Sequence, residues 1–190
     1  MTTNRLEAFS DGVLAIVITI MVLELKAPHE VTLKSLIPEI PVFASYLFSF
    51  IYIGIYWNNH HHLFQAAQKV NGKILWANLH LLFWLSLIPF TTSWLGENHL
   101  SATPVALYGF NLLMSAVAYF ILQSYILKHH GKDFVLKKAI GRDLKGKLSV
   151  VLYIVGLFLS FLSTWIAVVL YAVVAIIWLI PDKRIERNLE

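Results

Sequence analysis

The sequence predicts an all-α membrane protein of six transmembrane helices with both termini cytoplasmic. Three observations carry that reading. Hydrophobic residues make up 58% of the chain and charged residues only 14%; apolar windows recur along its length; and lysine and arginine crowd into alternate connectors. A soluble domain carries roughly 45 to 50% apolar and about 25% charged residues, so this composition belongs in a bilayer. The mean hydropathy of +0.68 agrees. At about 20 apolar residues per crossing plus short connectors, 190 residues hold six crossings and leave no length for a separate soluble domain. Residues 1–190 therefore read as one six-helix transmembrane domain.

The first window covers residues 8 to 25. Arg5 ahead of an apolar run resembles a signal peptide, but Glu7 and Asp11 interrupt the basic region and no small-x-small cleavage site precedes "LELKAPHE". The run reads as a retained first helix. Asn4 followed by Glu7 has capping-box spacing, which starts the helix near Asn4 and places Asp11 about two turns inside. The competing start makes Ser10 or Asp11 the cap. Further windows fall at 39–57, 74–95 and 104–127, followed by a continuous run from Leu148 to Ile180. As one straight helix that run would measure roughly 50 Å, against a hydrocarbon core of about 30 Å. Two short spans reversing near Ser163, Thr164 and Trp165 fit better than one long tilted or emergent helix.

Charge placement tests the count. With both ends inside, the inner set is Arg5; Lys69 and Lys73; Lys128, Lys132, Lys137, Lys138, Arg142, Lys145 and Lys147; and Lys183, Arg184 and Arg187, leaving only Lys26 and Lys34 outside. That asymmetry strongly favours an even number of spans with both ends inside. Trp76 and Trp94 bracket the third span about 27 Å apart, as interfacial anchors do, and Trp165 and Trp178 sit near opposite ends of the last. The long polar connector, residues 128 to 147, reads as a cytoplasmic loop touching anionic headgroups. The net charge of +4 thus reports topology and not nucleic-acid binding. With no cysteine there is no disulfide framework, thiolate metal site or thiol nucleophile. The opening motif has no second copy, so the chain reads as a single repeat unit.

A carboxylate near the membrane boundary is costly unless hydrogen-bonded, so Asp11 must meet donors on another helix. Arg5 is six positions away, roughly 240° around an ideal helix, and does not face it. The second span runs inward to "YWNNHHHLF", which brings Trp57, Asn59, His60 and His61 to the depth of Asp11; Asn78 and His80 lie at a similar level. All carry groups able to donate. A polar cluster locking the first helix against the second and third follows, and its role is positioning. The run His60, His61, His62 invites a metal reading, but adjacent helical residues diverge by about 100°, and no cysteine or carboxylate pair accompanies them. No metal or other cofactor is expected. The carboxylates are scattered singly, without a nucleophile motif or glycine-rich phosphate loop, so catalysis is not expected either.

Ile16, Thr19, Ile20 and Leu23 share one stripe of about 100° on the first helix, with Gly12 a turn earlier and Asp11 pointing away. Leu14, Val17, Ile18, Met21 and Val22 make the remainder equally apolar. Periodicity leaves a lipid face, a packing face and a pore lining all open.

The stretch "RLEAFSD" fits R-x-x-x-F-S-D, and Trp57, Asn59, His60, His61, Leu63 and Phe64 fit W-x-N-H-H-x-L-F. Together they resemble the transmembrane protein 175 family of potassium channels. Asn78, Pro89 and Phe90 in "NLHLLFWLSLIPF" echo that family's third span. The resemblance covers essentially the whole chain in span number and loop charge. It implies a homotetramer of single-repeat subunits in a prokaryotic plasma membrane, with the first helix of each subunit lining a central pore for permeant potassium and other monovalent cations. It implies no T-V-G-Y-G filter, and none occurs in the sequence. Carried over by position, Ile16 is the narrowest point, Ile20 and Leu23 form further apolar layers and Thr19 sits where some relatives place a hydroxyl ring. Arg5, Ser10 and Asp11 then belong to a network with Trp57, Asn59, His60 and His61. Selectivity for potassium over sodium would be moderate, because a dry isoleucine ring strips water without offering replacement carbonyls. Two other readings compete: a secondary or proton-coupled transporter relaying protons through Asp11 and the histidines, and a non-conducting or metal-binding scaffold. A carrier usually shows broken helices in matching halves, which this sequence lacks.

Overall fold

In the computed structural model, which describes residues 3–67, 69–130 and 143–179, the first window is one helix, α1 (Thr3–Leu23). Because α1 already includes Thr3, Asn4 lies in its first turn and not at its cap, and Ser10 and Asp11 are well inside. Glu7 turns away from the helix start to meet α2, so the expected capping box is not made. An exposed 3-10 helix, Leu33–Glu39, leads into α2 (Ile40–Ala66). Pro41 stands in the first turn of α2, where its missing N–H costs no helical bond. The second span is longer than its apolar window, because "YWNNHHHLF" continues the same helix to Ala66 instead of ending it.

The third span, 74–95 in the sequence reading, is divided into α3 (Gly72–Ser86) and α4 (Ile88–Glu97). Pro89 explains the break: its ring clashes with the carbonyl four residues back and it offers no N–H. The local ladder tightens, with Leu87 N–H donating to Trp84 O at 3.2 Å. Polar groups freed at such a break must find partners in a membrane. Asn111, only 3% exposed on α5, supplies them: with its amide oriented to match its neighbours, it donates to Trp84 O (3.0 Å) and accepts from Ile88 N–H (3.3 Å).

The fourth window is α5 (Ala102–His130). The final run is two helices, α6 (Leu144–Leu159) and α7 (Thr164–Leu179), reversing at Ser160–Ser163 as the sequence suggests. Each has 16 residues, or about 24 Å. Asp143 caps α6 from a left-handed conformation, accepting from Gly146 N–H at 3.1 Å. Lys132, Lys137, Lys138, Arg142, Ile180, Lys183, Arg184 and Arg187, and with them most of the expected basic connector, lie outside the described residues. Counting α3 and α4 as one crossing, the described helices make six spans, four of them long and apolar enough to cross a bilayer unaided.

Helix α5 is the centre of the protomer, packed by α3, α4, α6 and α7, whereas α1 packs mainly on α2, α3 and α4. Two close approaches fix the layers. Tyr171 of α7, fully buried, seats its ring against Gly109 of α5 and Gly156 of α6. Gly96 of α4 lies against the backbone of α2, where a Cβ would stand 2.8 Å from Val42 Cα. Backbone cannot yield as a side-chain tip can. Gly96→Ala is expected to push α4 off α2 and lower stability by about 1 to 3 kcal/mol, read as a lower melting temperature of the purified protein in detergent.

Candidate ion path and its polar support

Helix α1 has two different faces. Leu6, Ser10, Leu14, Val17 and Met21 are buried and recur at helical spacing. On the far side Gly12, Ile16, Thr19, Ile20 and Leu23 are exposed in the protomer, Ile16 at 59% and Leu23 at 78%. All four candidate path residues therefore share one uncovered face. The Thr19 hydroxyl donates to Ile16 O at 2.9 Å, which leaves its oxygen lone pairs turned outward. Beside this face a groove of about 490 Å³ runs between α1 and α4, bounded by Ile16, Ile20, Pro89 and Phe90. At its upper end Ser93 donates to Glu24 at 3.2 Å and Lys26 pairs with Glu97 at 3.5 Å, both exposed.

The buried face of α1 meets α2 through matched polar residues. Glu7, Ser10 and Asp11 stand at i, i+3 and i+4, and so do Trp57, His60 and His61, so each set occupies one stripe of its helix. The helices run antiparallel and the stripes pair in reverse order. Trp57 Nε1 donates to Asp11 Oδ1 (3.0 Å), and His61 Nδ1 meets Glu7 Oε1 (2.7 Å). The middle pair is bridged from α3: His60 Nε2 meets Asn78 Oδ1 (2.8 Å), Asn78 Nδ2 donates to Ser10 Oγ (2.9 Å), and Ser10 Oγ donates to Leu6 O (2.8 Å). Trp57 also stacks on His61, with ring centroids 6.2 Å apart and 20° between planes.

The inner chain is fully buried: Ser10 and Asn78 are inaccessible and His60 is 2% exposed. Its donors and acceptors fit in one sense only. Ser10 spends its proton on Leu6 O, so Asn78 must donate to Ser10 and present its oxygen to His60, which places the proton of neutral His60 on Nε2. His60 Nδ1 is then a bare acceptor, buried and without a partner among the described residues.

Of the network residues expected from sequence, Ser10, Asp11, Trp57, His60 and His61 come together here. Asn59 does not reach α1; its side-chain amide donates to Ile55 O at 2.8 Å, and its backbone carbonyl accepts from the Tyr119 hydroxyl at 3.1 Å. Arg5 is exposed and stands apart from the hydrogen-bonded chain. Asn78 joins the network, as its depth on α3 suggests, whereas His80, expected at the same level, instead accepts from Trp84 Nε1 at 3.0 Å on its own helix; Glu7 is the member the sequence reading left out. The repeated i, i+3, i+4 polar spacing on both helices is the signal that finds Glu7. His60 and His61 engage partners on different helices, and among the described residues no three histidine or carboxylate groups converge as metal ligands.

A potassium channel of Chryseobacterium sp. strain P1-3 is 58% identical over 190 residues, covering all of this chain and 99% of its own length. The family model described as endosomal/lysosomal potassium channel TMEM175 matches residues 5–89, which hold α1, α2 and α3 with the whole polar network. This chain belongs to the TMEM175 family. A second TMEM175-like relative, a potassium channel of Chamaesiphon minutus, is 32% identical over 190 residues, with 92% of each chain covered. The fold agrees too: the crystal structure of a lysosomal potassium-selective channel TMEM175 homolog from Chamaesiphon minutus superimposes with a TM-score of 0.81 at 31% identity, covering 95% of this chain and 97% of that one. The TMEM175 family and these relatives are ion channels, not enzymes, and the chain is an integral membrane protein.

Deleting the Asn78 amide leaves both the His60 Nε2–H and the Ser10 lone pair unpaired in a dry interior. Asn78→Ala is expected to cost about 2 to 3 kcal/mol, more than one ordinary hydrogen bond, because two buried groups are orphaned together. A thermal melt of the variant beside the parent protein measures it.

Proposed function

We propose that residues 1–190 form one six-helix channel subunit, and that four copies surround a central path for monovalent cations, lined by α1 and moderately selective for potassium over sodium. One observation carries this reading. The polar network rotates α1 so that Ile16, Thr19, Ile20 and Leu23 face away from the protomer, the face a symmetric assembly would bring to its axis. The relatives named as potassium channels support the choice of ion. Ile16 is the tightest ring, Ile20 and Leu23 are further apolar layers, and Thr19 offers hydroxyl oxygens between them. An apolar ring of that kind opposes wetting, so a cation crosses it partly dehydrated. Potassium sheds water at lower cost than sodium because its charge density is lower. Both termini face the cytoplasm, on the strength of the lysine and arginine asymmetry, and the host membrane is a prokaryotic plasma membrane.

In this mechanism the network of Ser10, Asp11, Trp57, His60, His61, Glu7 and Asn78 holds the inner part of α1 while its outer part rotates or dilates to rewet the ring. Potassium flux into liposomes should proceed without a coupled proton gradient; flux that needs one would favour a proton-coupled carrier instead. Ile16→Asn is expected to raise sodium leak several-fold by wetting the constriction, and an unaltered sodium-to-potassium flux ratio would remove Ile16 from the path. The absence of cysteine allows a direct test of the axis. Leu23→Cys, oxidised in the membrane, should yield inter-subunit disulfide dimers, because side chains that meet at the axis come within the bonding distance of about 4 to 7 Å between Cα atoms. Phe158→Cys, on the exposed face of α6, should remain monomeric.

A further inference from the structure

On the side of α2 away from α1 lies a second cavity, of about 460 Å³, enclosed by α2, α5, the start of α6 and Trp178 of α7. Its volume falls within the range of sites that hold small organic ligands, about 300 to 1,000 Å³. Most of its wall is hydrocarbon, including Ile55, Val117 and Val151. Polar side chains also line it, and Asn59, Tyr119, Ser149 and Tyr153 have hydrogen-bond partners within the protein. Tyr56 and Gln123 are each only 8% exposed and both line the cavity. Neither the Tyr56 hydroxyl nor the Gln123 carboxamide makes a hydrogen bond among the described residues.

Buried polar groups in a membrane interior are normally paired, and an unpaired one is a cost the fold must recover elsewhere. Ordered water could meet two donors, but a cavity walled largely by hydrocarbon stays dry over most of its volume. An occupant must therefore be mostly apolar, with acceptors at the depth of Tyr56 and Gln123. The charged rim narrows the choice further. Lys147 lines the cavity at the start of α6, with Lys145 on the same turn. The acidic rim group, Asp143, is engaged in capping, its carboxylate accepting from Gly146 N–H. Lys147 makes no ion pair among the described residues, so its ammonium is open to an anionic group.

We propose that this cavity is a lipid site that seats one acyl chain of an anionic phospholipid, with its ester carbonyls against Tyr56 and Gln123 and its phosphate against Lys147. The hydroxyl and the amide donate to the carbonyls, the lysine pairs with the phosphate, and the chain fills the apolar remainder. The site stands whether or not α1 conducts ions.

Native mass spectrometry of the detergent-purified protein, supplied with phosphatidylglycerol or with phosphatidylcholine of the same chains, reads the proposal directly. The parent protein should retain phosphatidylglycerol preferentially, at one molecule per protomer. Lys147→Ala should reduce that preference roughly fivefold, the worth of one lysine near an anionic headgroup, and lower phosphatidylcholine retention less, because the choline cation already offsets that lipid's phosphate. Gln123→Leu should weaken both lipids. Val117→Trp, which fills the cavity, should abolish retention of both, with circular dichroism confirming unchanged helicity. Should Val117→Trp misfold, Lys147→Ala and Gln123→Leu still decide the matter. Equal retention of the two lipids by the parent protein and Lys147→Ala would overturn the proposal. So would undiminished retention in a folded Val117→Trp, or no retained lipid at all, as for a cavity holding only water or closed by a neighbouring subunit.

Discussion

Lipid offers a carboxylate or an imidazole nothing to bond with, so the polar residues shared by α1, α2 and α3 persist only because each is aimed at a partner. That demand fixes geometry as well as energy. Two stripes with the same i, i+3, i+4 spacing pair in reverse order, which sets the depth of α1 against α2; the Asn78 bridge then sets both against α3. Apolar packing alone would tolerate rotation, because α1 is hydrophobic nearly all round. The polar contacts do not, since a turn of 100° would bury Asp11 without Trp57 and strand Ser10. Which face of α1 is left bare thus follows from where its few polar residues find donors.

The same constraint governs the third span. Pro89 breaks the helix where α4 must lean toward α2, and the backbone groups released by the break are taken up by Asn111 of the central helix. The bend and its asparagine form one device. The lean lets Gly96 approach α2, and it also opens the groove that runs beside Ile16 and Ile20.

Much of this was legible in the sequence, for identifiable reasons. Span number and the reversal near Ser163 follow from length against bilayer thickness, a ruler that needs no tertiary information. The meeting of Asp11 with Trp57 and of the histidines with α1 follows from depth: polar groups at one level of a bundle must find each other. What stayed hidden depends on rotation and on competition between partners. Glu7 has the spacing of a capping residue, and only the position of His61 shows that it bonds across to another helix. Asn59 looks equivalent to its neighbours until its side chain turns back to Ile55 O on its own helix. The break at Leu87 was hidden because apolar periodicity passes through Pro89 without interruption.

Helix α2 is a wall with polar groups on two sides. Consecutive residues Tyr56 and Trp57 point roughly 100° apart, one into the lipid cavity and the other to Asp11. Across the cavity stand α5 and α6, and α6 and α7 are about 24 Å long, shorter than the hydrocarbon core. A short hairpin is accommodated by local thinning of the bilayer and by flanking residues reaching for the interface. Thinning brings headgroups inward at the start of α6, the turn that carries Lys147. The length of the last hairpin and the polar groups on the back of α2 therefore point to one place, where a phospholipid can leave the bulk bilayer with its headgroup still in the interface. Because α2 is bonded on its other side to α1 and α3, an occupant there meets a wall positioned by contacts in which it takes no part.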